Sequence, residues 1–198
     1  MRVLAFAFSA FLMAIPAAQA QEIPVELLDA EIPAGMEETL TNAVLLHRKG
    51  VEGDEDAVEE AIALLEPVVD EDNAPPISIG FMGSLYTLKG RDASNVVNAM
   101  RFTNRGIGMI DEAVDLQPDG YSIRMLRAIN NIEIPAMFGR HEIAIADMKF
   151  IIDTYASEDH SRSADTVKVV LGHLIKNANA MGDDAEKTRY QTMLDSLN

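Results

Sequence analysis

VVNAMRFTNRGIGMIDEAVDLQPDGYSIRMLRAINNIEIPAMFG, residues 96–139, is the stretch that decides the fold. Val96, Met100, Ile107, Ile110 and Val114 recur at helical spacing, and Phe102, Met109, Ala113 and Leu116 form a second apolar stripe on the same segment. Gln117-Pro118-Asp119-Gly120 breaks the pattern as a turn. Tyr121, Met125, Leu126, Ala128, Ile129 and Ile132 then carry a second helix, which closes at Pro135. Two helices joined by so short a turn run antiparallel. The first, apolar on two sides, is expected to be sandwiched between neighbours, with Gly106 and Gly108 permitting close approach.

Working outward, further helices follow on both sides. Met36, Leu40, Ala43, Val44 and His47 share one stripe, with Gly50 as the expected C-cap and His47 as a packed or half-exposed histidine. Asp54 opens the next helix, whose apolar face is Ala57, Ala61, Leu64, Leu65 and Val68. Pro67 is expected to kink or end it. A proline-primed helix runs from about Pro76 to Leu88, where Gly80 and Gly83 signal close packing. Beyond Gly139, Ala144, Met148, Ile151, Ile152 and Tyr155 form a stripe with Asp147 beside it, and Ser157 to Ser163 reads as a polar loop. Val167, Val170, Leu171, Leu174, Ala178 and Met181 face a core up to Gly182. Asp183 and Glu186 make a capping-box start for a short, polar last helix with Tyr190, Met193 or Leu194, and Leu197 inward.

Gly83 and Tyr86 three apart, and Ala113 and Pro118 five apart, resemble the small residue, the Tyr and the closing Ala and Pro of a tetratricopeptide unit. Ala61 to Pro67 matches more loosely, and the Trp of a consensus unit is absent. Helix-pair starts near Met36, Pro75, Asp119 and Ser163 recur about every 40 residues, against ~34 for a strict unit. The resemblance implies an all-α fold of about four antiparallel helix pairs stacked as a short TPR-like right-handed superhelix, with the first helices of the pairs lining a concave groove. It covers residues 36–198 by pattern; its specific motifs cover only the middle.

Residues 1–20 have the form of a cleavable signal peptide. Arg2 precedes an apolar run from Val3 to Ile15, Pro16 breaks it, and Ala18-Gln19-Ala20 is a cleavage site. The mature chain is expected to start at Gln21, in the periplasm or outside the cell, with residues 21–35 as a lead-in along the first helices. Cysteine is absent, which rules out disulfides, thiolate nucleophiles and Cys-ligated zinc. A net charge of −16 opposes phosphate backbones and anionic lipid, so neither nucleic-acid binding nor membrane insertion after cleavage is expected.

Catalytic and metal signatures are missing. His47, His141, His160 and His173 lie far apart, with no His-x-x-x-His, nucleophile elbow or phosphate loop, so no enzyme, metal or cofactor is expected. The ten acidic residues between Val51 and Asn73 read as a solvated face, without calcium-loop spacing. Seven of the sixteen basic residues lie between Lys89 and Arg140. Arg124, Arg127 and Asn131 share one helix arc, with Arg140 in the same repeat. They offer bidentate donors to a carboxylate, a peptide terminus or an acidic small molecule. Alternatively they pair with Asp111, Asp115 or Asp147 and fix the stacking. The sequence thus points to a non-catalytic exported scaffold for a protein or peptide; a small-molecule-binding accessory protein of an uptake system is the second reading.

Overall fold

The computed structural model describes residues 35–157 and 164–197. The expected signal peptide, residues 21–34 of the lead-in, and the polar stretch 158–163 with His160 lie outside the described residues. Those described form eight α-helices and no strand: α1 (Glu37–Val51), α2 (Glu55–Val69), α3 (Pro76–Arg91), α4 (Val96–Leu116), α5 (Tyr121–Glu133), α6 (His141–Ser157), α7 (Ala164–Met181) and α8 (Asp184–Ser196). A 3-10 turn, Ala136–Phe138, links α5 to α6. The all-α class is therefore as the sequence patterns require.

Local chemistry sets most boundaries. The Asp54 carboxylate accepts the Ala57 N–H at 3.0 Å, Asn95 accepts from Asn98, and Asp183 from Glu186, each satisfying a donor that a helix start leaves open. Pro76 occupies the first turn of α3, and Gly182 takes φ 71° to end α7. Two expectations fail, at Gly50 and at Glu186. Gly50 does not cap α1; it lies within the helix against Val58 of α2, and Gly53 adopts the positive φ instead. Pro67 lies in the last turn of α2, which ends two residues later at Val69. Glu186 turns to Lys149 and Tyr190 instead of closing a reciprocal capping box, which helps tie α8 to α6.

Each helix packs on the next along the chain, and α1 and α3, and α3 and α5, also touch across one intervening helix. The centre is α3, whose residues 77–86 are all buried. Each large apolar side chain sealed there, such as Ile77 or Leu85, contributes about 2–3 kcal/mol. The contact of α3 with α4 is between backbones: a Cβ on Gly83 would stand 2.7 Å from the Gly106 carbonyl oxygen. Gly108, in contrast, faces open space and permits no approach. Nor is α4 apolar and buried on two sides: Ile110, Ala113 and Val114 are buried, but Val96, Met100 and Leu116 are exposed. The sandwiched helix is α3. Met181 also turns outward, against the inward face expected of it.

The buried side chains form two cores. One gathers α1 to α3, the end of α4, and Ile123 and Leu126 of α5. The other gathers Tyr121, Met125 and Ala128 of α5 with α6, α7 and α8. Helix α5 therefore presents one side to each.

Candidate functional site

The four residues singled out from sequence come together. Arg124, Arg127 and Asn131 project from α5, and Arg140 ends the link to α6. Asp147, on the second turn of α6, is fully buried among them. Arg127 holds it with two parallel bonds, Nε to Oδ2 at 2.7 Å and Nη2 to Oδ1 at 2.9 Å. Arg124 donates to the same Oδ1 at 2.9 Å and through Nε to the Pro118 carbonyl, while its guanidinium lies 4.4 Å from the Phe150 ring centroid. Arg140 bonds Asp111 of α4 through Nη2 and Asn131 Oδ1 through Nε at 3.0 Å. Arg127 Nη1 also reaches Asp111, at 3.4 Å. The hydrogen bonds from Arg127 to Asp147 raise the Arg127 pKa further, outweighing its partial burial.

This cluster ties α4, α5 and α6 together. Asp115, one turn beyond Asp111, has no ion pair among the described residues. Two features remain beyond the mutual pairing. Three guanidiniums meet two carboxylates, which leaves one positive charge in excess. Asn131 is buried, and because Arg140 can only donate, its Oδ1 must face Arg140; its Nδ2 then has no acceptor.

A second polar chain joins α1, α3 and α5. His47, 4 % exposed, has Nε2 2.7 Å from Ser84 Oγ. Ser84 Oγ donates to Asn130 Oδ1 at 3.0 Å, and Thr87 Oγ1 reaches the same oxygen at 2.8 Å. Asn130 Nδ2 donates to the Leu126 carbonyl, which fixes the amide's orientation. With its own hydrogen on Asn130, Ser84 accepts from His47, so Nε2 carries the imidazole proton. Burial, reinforced by the Arg91 charge, lowers the His47 pKa from 6.5 to about 4. A serine and a histidine at this separation resemble a nucleophile and its base. Here both are sealed in the core and the hydroxyl proton is committed to Asn130, so the pair acts as a tie.

A third arrangement lies on the outer side of α4. Tyr86 and Phe102 stack at 6.3 Å, with the Arg105 guanidinium 4.0 Å from the Tyr86 centroid and that of Arg101 4.6 Å from Phe102. Sequence reasoning placed Phe102 in an apolar stripe and passed over these two arginines. The available signal was the run Val96 to Ile110, which holds two arginines and no acid in a chain of net charge −16.

Among the described residues no group of three or more His, Asp or Glu is arranged to hold a metal ion, and no helix is long and apolar enough to cross a membrane. A shallow depression of about 310 Å³ opens along α8 between Asp184, Lys187, Thr188, Gln191 and Thr192. Comparison with known proteins finds no matching family model, curated sequence or solved structure.

Proposed function

We propose that this chain is a non-catalytic, exported scaffold, a TPR-like stack of four antiparallel helix pairs that binds a protein or peptide partner on its helical surface. The order of helix contacts supports the stacking, because each helix leans on its successor and α1, α3 and α5 touch in turn. One observation carries the binding role: α4 exposes Val97 (76 %) and Met100 (41 %) beside the two arginines stacked on Tyr86 and Phe102. Exposed apolar side chains next to positioned guanidiniums are the composition of an interface centre.

The test is site-resolved photo-crosslinking in the exporting cell. A photoreactive residue at Val97 is expected to yield a defined protein adduct, and one at Val169, also exposed on α7, none. Adducts from both positions, or from neither, sink the proposal. Export is tested by the intact mass of the mature chain, which should begin at Gln21.

A second reading, a carboxylate-binding accessory protein, is favoured by the excess positive charge and the acceptor-less Asn131 Nδ2 at the arginine cluster. Arg124, Arg127, Asn131 and Arg140 would then hold the ligand. Titration calorimetry with small dicarboxylates against the wild type and Arg140→Ala decides it: no heat with the wild type removes this reading.

A further inference from the structure

A guanidinium stacked on an aromatic ring is held by its face, so its in-plane N–H groups stay open to a carboxylate. That is the state of Arg101 and Arg105, both exposed, neither with a carboxylate partner among the described residues. Their ring platform is itself fixed, since Tyr86 is buried in α3, and Lys89 reaches Phe102 at 5.1 Å while bound to Glu59 at 2.6 Å. Among the described residues no carboxylate accounts for these two positive charges.

We propose that this face of α4 binds an acidic peptide segment of a partner protein. Two of the segment's carboxylates meet Arg101 and Arg105, and an apolar side chain rests on Val97 and Met100. The proposal rests on the scaffold reading and gives its partner a chemistry. The spacing fits: positions four apart on a helix rise about 6 Å. Carboxylates one turn apart on a helix, or two residues apart on a strand, match that distance. The face also limits the length of the anion. Glu112 and Asp115 follow on α4, neither in an ion pair among the described residues, so a long polyanion such as a nucleic acid would run into like charge, whereas a short acidic segment stops before it. The repulsion of the whole acidic chain is screened beyond about 8 Å at physiological salt.

The probe is a fluorescein-labelled peptide of alternating Glu and Leu, followed by anisotropy, with its Lys-for-Glu counterpart and a single-stranded oligonucleotide as competitors. The wild type should bind the acidic peptide, and the joint change of Arg101→Ala and Arg105→Ala should weaken binding about tenfold or more. Arg101→Lys with Arg105→Lys, which keeps the charge but loses the planar fork, should recover part of it and guards against a folding defect in the alanine variant. Added salt should weaken binding. The proposal is overturned if the wild type does not bind the peptide, if the alanine variant binds it equally, if the Lys peptide binds as well, or if the oligonucleotide competes through the same two arginines. Crosslinks from Val97 that survive the double alanine change would leave the scaffold standing and overturn this inference alone; absence of both crosslinks and peptide binding would remove both.

Discussion

On α5 and the link after it, Arg124, Arg127 and Arg140 spend their donors on Asp147, Asp111, Asn131 and the Pro118 carbonyl. On α4, Arg101 and Arg105 lie against Phe102 and Tyr86 with no hydrogen bond to any described residue. The same side chain does two different things, and the acceptor decides which. A carboxylate sealed from water, as Asp147 is, needs every donor that can reach it. An aromatic face takes only the flat side of the guanidinium and leaves its rim for something else. The kind of partner and the exposure of the arginine go together: Arg127 and Arg140 are largely covered and bound to carboxylates, whereas Arg101 and Arg105 are exposed over rings.

The contrast breaks most directly at Arg127. Arg127→Ala leaves Asp147 buried with Arg124 alone and should cost about 3–5 kcal/mol in a denaturant melt. A loss under about 1 kcal/mol, the value of an exposed pair, would show that the cluster is open to water and spend its charge on a ligand instead.

His47 gives the buried side of the comparison a pH dependence. Its pKa is lowered in the folded chain, so the unfolded chain takes up the proton first. Its contribution is fully present above pH 6.5 and is lost as pH falls toward about 4. The loss should amount to about 3 kcal/mol across that window. Urea melts at several pH values, wild type against His47→Gln, isolate it from the carboxylates; parallel slopes in the two proteins would refute the assignment.

The ring platform of the open arginines depends on the α3–α4 seam. Gly83→Ala drives a methyl into the Gly106 carbonyl and should cost about 1–3 kcal/mol, because a backbone cannot yield as a side chain can. Gly108→Ala, whose methyl meets nothing, should gain up to about 1 kcal/mol from helix propensity. Thermal melts that shift the two in the same direction would place the seam elsewhere.

Smallest is the effect of Arg105→Ala on stability, at most about 1 kcal/mol, since only a cation–π contact is lost. A larger loss would move Arg105 from the open group to the tied one.

How much of this was legible follows from what each feature requires. Caps announce themselves within four residues, so Asp54, Asn95 and Asp183 are readable as helix starts. Arg124, Arg127 and Asn131 share a helix arc by spacing alone, and their gathering near Arg140 was readable too. Asp147 was readable as one of three candidate partners beside Asp111 and Asp115; that it takes three of their bonds and Asp115 none depends on how α6 packs on α5. The two stripes of α4 looked equivalent in sequence. Each is buried only in part, at Ile110 and Val114 of one and Ala113 of the other, on the side that the Gly83–Gly106 approach, a contact between segments that share no local pattern, turns toward α3. The chain from His47 through Ser84 to Asn130 spans three helices and leaves no periodic trace at all.

Helix α5 gives Ile123 and Leu126 to one core and Tyr121, Met125 and Ala128 to the other. A wall common to two rooms cannot be taken down for one of them only. Losing either core strips α5 of half the contacts that hold it helical, and a helix of 13 residues is marginal on its own. The two ends of the chain, which share no other buried apolar residues, are thereby bound into one cooperative unit: the protein should melt in a single transition, and a fragment cut on either side of α5 should carry an unfinished core.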